Sequence, residues 1–205
     1  MIFYFMICFF IGSIPFAYLI SKIKGINIKE VGSGNSGATN VLRTVGWKEA
    51  LLVMLLDIGK GYLAVFLFNF FESSIISESF EMNKHEYAAI GGFIAVFGHI
   101  FSPFLKFNGG KGVATSIGIY LHLAPLTCLA SCFVALLIIY FSKKASLGTI
   151  LGILTLPIFL LLIESNHNSL SFVIKIMLLN IVLILFTHRE NIKRIIDGTE
   201  LKIKN

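Results

Sequence analysis

VATSIGIYLHLAPLTCLASCFVALLIIYF, residues 113–141, is the stretch on which the fold turns. As one α-helix its 29 residues would run about 43 Å at 1.5 Å per residue, well beyond the roughly 30 Å of hydrocarbon in a bilayer. A single crossing would also carry Lys143 and Lys144 to the side opposite the other basic loops. Pro125 offers the remedy, because it donates no backbone hydrogen bond and distorts the turn before it. A break there gives two crossings, the first a short one over residues 113–125 that needs tilt or local bilayer thinning.

The rest of the chain has the same character. Of 205 residues 56% are hydrophobic and 14% charged, with 20 Phe and a mean hydropathy of +0.86, against about 25% charged residues in an ordinary soluble domain. Further spans are expected over residues 2–21, 50–71, 87–105, 147–163 and 172–186. The expectation is an all-α polytopic membrane protein of about seven transmembrane helices, with six as the alternative, forming one integral membrane domain over residues 1–205. No basic segment precedes the first apolar run, so that run reads as a retained span and not as a cleaved signal.

Charge sets the orientation. The segment 22–48 carries Lys22, Lys24, Lys29, Arg43 and Lys48 against Glu30, which by the positive-inside rule puts it in the cytoplasm and the N-terminus outside. Glu72, Glu78, Glu81 and Glu86, opposed by Lys84, fit an outer loop, as does the short segment 164–169. The basic tail from His188 onward returns to the cytoplasm. The net charge of +6 is dispersed over short loops, so no nucleic-acid partner is implied. Cys8, Cys128 and Cys132 lie in apolar runs and read as core filler, with neither a disulfide framework nor a metal site. Asp57 and Lys60, three apart in the second span, read as a structural ion pair.

Three polar segments on the cytoplasmic side carry the chemistry. The first is GSGNSGATNVLR, residues 32–43. Its glycines permit positive φ and exposed N–H groups, which is how anion-binding concavities form. A helix starting near Thr39 would let Thr39, Asn40 and Arg43 address one ligand. The second is NGGKGVAT, residues 108–115, in which Gly109, Gly110, Lys111 and Gly112 precede a helix start, a natural phosphate cradle. Thr115 stands one turn beyond Lys111. It is no Walker A loop, since Leu105 stands where the first glycine belongs and Gly112 replaces the magnesium-holding Ser/Thr. The third is HRENIKR, residues 188–194, where His188, Asn191 and Arg194 follow one another at helical spacing. His99 lies near the second segment and is expected to orient the glycine loop. His85, His122 and His167 are isolated and receive no role.

Taken in order, SGNSGATNVLR (33–43), GHIFSP (98–103) with GGKGVAT (109–115), and HRENIKR (188–194) with Glu200 resemble the three cytoplasmic motifs of the bacterial acyl-phosphate:glycerol-3-phosphate acyltransferase family. The resemblance runs from GSIP (12–15) to Glu200. It implies a seven-span plasma-membrane enzyme working without cofactor, metal or acyl-CoA. The reaction implied is the first acylation of phospholipid synthesis: glycerol 3-phosphate and acyl phosphate give 1-acylglycerol 3-phosphate and phosphate, next to the enzyme that supplies the acyl phosphate. By position, Gly109, Gly110, Lys111 and Gly112 resemble the glycerol 3-phosphate motif. Ser33, Arg43, His188 and Asn191 resemble residues needed for activity. Glu200 resembles a structural position and Ser146 a site-lining serine. Two rivals fare worse on the residues. A transporter would place its site near the bilayer midplane, often with internal repeats, and a magnesium-dependent polyprenyl-phosphate transferase would want acidic clusters.

Overall fold

In the computed structural model, which describes residues 1–75, 83–164 and 170–203, the helical ladder breaks where Pro125 requires. Helix α7 (Val113–Leu123) stops two residues before the proline and α8 (Pro125–Ser142) begins on it. Proline suits a first helical turn, where its missing N–H would have no intrahelical acceptor. The α8 start is then closed by a side chain: Thr127 donates through Oγ1 and N to Glu164 Oε1 at 3.1 and 3.4 Å.

The remaining elements are α1 (Ile2–Ser13), α2 (Phe16–Ile23), α3 (Ala38–Thr44), α4 (Trp47–Phe66), α5 (Phe68–Ile75), α6 (Lys84–Ile100), a 3₁₀ turn (Pro103–Leu105), α9 (Ala145–Ile163), α10 (Leu170–Thr187) and α11 (Arg189–Ile196). The protein is all-helical over the described residues and is a multi-pass membrane protein. Five segments are long and apolar enough to cross: Ile2–Ile23, Trp47–Phe71, Lys84–Leu105, Pro125–Ser142 and Ala145–Ile163. A sixth forms if Ser171–Thr187 and Arg189–Ile196, bent by 62°, count together. Helix α7, the expected short crossing, has 11 residues and so is only about 16 Å long. The outer-loop residues Glu78 and Glu81, the stretch 165–169 with His167, and Lys204 lie outside the described residues.

The first span, expected over residues 2–21, runs as Ile2–Ile23 and is interrupted within its length. Pro15 splits it, holding Ile14 in an extended conformation (φ −58°, ψ 118°), as a residue before proline prefers. The break frees carbonyls that hydrocarbon cannot hydrate. Lys60 Nζ donates to Ile14 O at 3.0 Å and Ser102 Oγ to Ser13 O at 2.6 Å, so both are satisfied. At the start of α6, Asn83 Oδ1 accepts from the His85 and Glu86 amides while Glu86 Oε2 accepts from Asn83 N, a reciprocal cap.

The chain divides into two compact units, Met1–Leu123 and Ala124–Asn205. In the first, α4 packs along α7 and α1 along α6. Small residues make this possible, as in membrane bundles generally. A Cβ on Gly61 would strike the Thr115 carbonyl, and one on Gly118 the Ile58 carbonyl. Tyr4, fully buried, donates its hydroxyl to Ala64 O at 2.9 Å. In the second unit α8 and α9 form a pair, with Gly148 and Gly152 of α9 set against Ala135 of α8.

Gly118→Val should therefore force α4 and α7 apart and lower the thermal midpoint in detergent, at a cost of about 1–3 kcal/mol for overpacking. Gly59→Ala, where an added Cβ meets nothing within 4 Å, should leave the midpoint in place. Equal midpoints for the two variants would refute the close-approach account of this face.

Candidate active site

The polar segments close helix ends and are fixed by long-range bonds. In the first unit, Gly32 and Gly34 take φ of 61° and 66°, a conformation that costs a side-chain-bearing residue. Asn40 holds the resulting loop from within. It is 2% exposed; its Nδ2 donates to Ile28 O at 3.2 Å and Val31 O at 3.0 Å, and its Oδ1 accepts from Ser33 N at 2.9 Å. The amide that the spacing directed toward a ligand is thus a clamp on the loop. Thr39 and Ser33 are exposed and Arg43 is half-buried on the last turn of α3, so Thr39 and Arg43 share one helix face at i, i+4. Ser36, which the sequence did not single out, is buried, and its hydroxyl has no hydrogen-bond partner among the described residues. Its carbonyl lies 3.0 Å from where a Cβ on Gly110 would sit.

The glycine loop, residues 108–112, folds back onto the end of α6. Gly109 N donates to Ile100 O at 2.8 Å and Gly110 N to His99 O at 3.1 Å, which supplies acceptors at a helix terminus with the donors they lack. A Cβ on Gly109 would collide with the His99 carbonyl and one on Gly110 with the His99 imidazole. Gly112 has φ of 85°, and its carbonyl accepts from Ser116 N at 2.9 Å to start α7. Lys111 consequently precedes the helix and is half-buried, so the one-turn relation to Thr115 is not a helical one. Thr115 is fully buried beside α4, and its hydroxyl has no hydrogen-bond partner among the described residues.

His99 links this loop to the buried ion pair. Asp57 Oδ1 lies 2.8 Å from Lys60 Nζ and 3.7 Å from His99 Nδ1. Lys29, read from the sequence only as one loop charge among several, bonds the loop from outside: its Nζ donates to Asn108 O at 3.0 Å. Partial burial pulls the Lys29 pKa down from the ordinary lysine value. No local pattern marks this bond, since its partners are 79 residues apart.

In the second unit the third segment lies at the bend between α10 and α11. His188 is 3% exposed and its Nδ1 lies 2.9 Å from Ile184 O. A carbonyl only accepts, so Nδ1 carries a proton and donates it to Ile184 O. Glu200 is the hub. Its side chain is 1% exposed; Oε1 accepts from Ser146 Oγ at 2.7 Å and Asn191 Nδ2 at 2.7 Å, and Oε2 from Arg194 Nε at 2.9 Å. Ser146 thus ties the start of α9 to the tail. Gly198, with φ of 72°, turns the chain so that Glu200 returns to α11. Burial raises the Glu200 pKa, and the bonds from Ser146, Asn191 and Arg194 outweigh it, leaving the carboxyl below its ordinary value.

Apolar helices of crossing length, joined by glycine-rich and cationic segments, define a multi-pass integral membrane protein. The chain belongs to the glycerol-3-phosphate acyltransferase family, which matches residues 2–198, and it is an acyltransferase. It is 36% identical over 217 residues to the glycerol-3-phosphate acyltransferase of Chlorobaculum tepidum, covering 96% of this chain and 94% of that one. It is 40% identical over 204 residues to that of Leptospira borgpetersenii serovar Hardjo-bovis, covering 96% and 89%. Among solved structures it is similar to PlsY (YgiH), an integral membrane glycerol 3-phosphate acyltransferase, in its glycerol 3-phosphate form. The TM-score is 0.83 at 35% identity, over 99% of this chain and 95% of that one. The lysophosphatidic acid form gives a TM-score of 0.80.

Glu200→Ala should strand three donors and lower stability by about 1–3 kcal/mol, the cost of leaving a buried donor unpaired. Because the folded pKa lies below the unfolded one, the contribution is complete above the ordinary carboxylate value of about 4.3. It fades as pH falls through the lower folded value. Thermal midpoints from pH 7 to pH 3 should show this acid loss in the native chain and a smaller one in Glu200→Gln; identical acid limbs would refute the hub.

Proposed function

We propose that the protein transfers a fatty acyl group from acyl phosphate to the sn-1 hydroxyl of glycerol 3-phosphate. The products are 1-acylglycerol 3-phosphate and inorganic phosphate, as the first acylation of phospholipid synthesis. The observation that carries this reading is the glycine loop, packed onto α6 and leading into α7, in a fold shared with structures of a glycerol 3-phosphate acyltransferase in its glycerol 3-phosphate and lysophosphatidic acid forms. Residues 1–205 act as one domain on this reading, supported by a family match that runs across both compact units.

Acyl phosphate is a mixed anhydride, so the leaving group is already good and the enzyme's task is positioning and charge stabilisation. The glycerol oxygen forms a bond to the acyl carbon, the bond from that carbon to the phosphate oxygen breaks, and the hydroxyl proton passes to the released phosphate. The Lys111 side chain and the backbone of Gly109, Gly110 and Gly112, backed by the buried Thr115, form the glycerol 3-phosphate subsite. Ser33, Thr39, Asn40 and Arg43 provide the first-motif contribution, with Asn40 acting by shaping the loop. His188 orients substrate through Nε2; Asn191 and Arg194 complete the third motif, held by Glu200 and Ser146. His99 supports the glycine loop. The acyl chain lies among the apolar helices. The basic loops support a cytoplasmic site in the bacterial inner membrane, within reach of the enzyme that makes the acyl phosphate.

Purified protein given labelled glycerol 3-phosphate without added metal should form product from acyl phosphate and none from acyl-CoA. Lys111→Ala and Gly110→Ala should each raise the KM for glycerol 3-phosphate by about 10-fold, the loss of a charge-assisted contact or its scaffold, and His188→Ala should lower kcat. Product from acyl-CoA in place of acyl phosphate would overturn the donor assignment.

A further inference from the structure

The glycine loop is bonded on two sides. Its inner edge is fixed by the amides of Gly109 and Gly110 on the end of α6. Its first residue, Asn108, is gripped from the other side by Lys29, whose Nζ donates to Asn108 O at 3.0 Å and to Asn108 Oδ1 at 3.4 Å.

Lys29 is itself well held. Its amide donates to Asn27 Oδ1 at 3.3 Å, and Asn27 Nδ2 donates to Glu30 Oε1 at 2.6 Å. Its carbonyl lies 3.1 Å from where a Cβ on Gly34 would sit, in the first-motif loop. The neighbouring acid, Glu30, is therefore bonded to Asn27, and among the described residues the Lys29 ammonium faces the two neutral acceptors of Asn108 and no carboxylate. A cation in this position is not one half of a salt bridge; it is a strap between two motifs that lie far apart in sequence.

The strap matters because of what it restrains. Three of the five residues 108–112 are glycine, and glycine loses more freedom on ordering than any other residue. A loop that must be ordered by its ligand takes the cost of ordering out of the affinity. A bond from an ionised donor is among the stronger ones and orders the loop beforehand. We propose that Lys29 is a positioning residue for the phosphate-bearing substrate, acting through Asn108 to keep residues 108–112 in their binding shape; this rests on reading that loop as the glycerol 3-phosphate subsite.

The test uses the whole protein in detergent and the variants Lys29→Met and Lys29→Arg. Lys29→Met should raise the KM and the calorimetric Kd for glycerol 3-phosphate by about 10-fold, with kcat and the KM for acyl phosphate changed by less than about twofold. Hydrogen exchange at the Gly109 and Gly110 amides should quicken. Lys29→Arg, which keeps a charged donor, should restore the slow exchange and most of the affinity. Unchanged KM and Kd in Lys29→Met would overturn the proposal even if exchange quickens, and so would a uniform loss of kcat and both KM values with a lowered thermal midpoint. If the native protein fails to transfer acyl groups while Lys29→Met still weakens glycerol 3-phosphate binding, the strap stands and the acyl-transfer reading falls. Native turnover with an unaffected KM in Lys29→Met would do the reverse.

Discussion

Backbone polar groups that hydrocarbon cannot hydrate must find partners inside the protein, and this constraint organises three of the places where the described chain stops being helical. The Pro15 break leaves carbonyls that Lys60 and Ser102 satisfy. The start of α8 is closed by Thr127 with Glu164. The end of α6 is closed by the amides of Gly109 and Gly110. The same glycine amides that shape a candidate phosphate loop therefore also close a membrane helix, so one edge of the loop is bonded before any ligand arrives.

Close approach of helices follows from the same economy of space. Glycines at 61 and 118 let α4 and α7 touch backbone to backbone. A buried charge needs a partner, and Asp57 finds two neighbours, Lys60 on its own helix and His99 at the end of α6. Because Lys60 also reaches the Ile14 carbonyl and the His99 carbonyl receives Gly110, one polar chain runs from the Pro15 break to the glycine loop.

The helices were legible because apolar runs and prolines are local signals. The break at Pro125 follows from helix length, the placement of Lys143 and Lys144 and the proline itself, and the three polar segments stand out by composition. The split at Pro15 was less visible, since its freed carbonyls are satisfied by Lys60 and Ser102, 46 and 89 residues away in the chain. Asn40 reads from spacing as a ligand contact, yet three backbone groups of its own loop occupy its amide. Ser146 meets Glu200 across 54 residues, and Lys29 meets Asn108 across 79. Neither pair has a periodicity to betray it; only the resemblance drew attention to Ser146, and nothing drew attention to Lys29.

A site for phosphate-bearing substrates must also limit negative charge around it. The chain carries 17 Lys and Arg against 11 Asp and Glu, but the excess matters less than how the acids near the polar segments are engaged. Asp57 is paired with Lys60, Glu49 with Lys24 at 2.8 Å, Glu30 with Asn27, and Glu200 with Ser146, Asn191 and Arg194. Each of these carboxylates has a protein cation or a polar donor within about 3 Å, so none of the four stands as an isolated negative charge. Removing a donor from such an acid does more than loosen the fold: it returns a negative charge to a neighbourhood that the proposed chemistry requires to be attractive to phosphate.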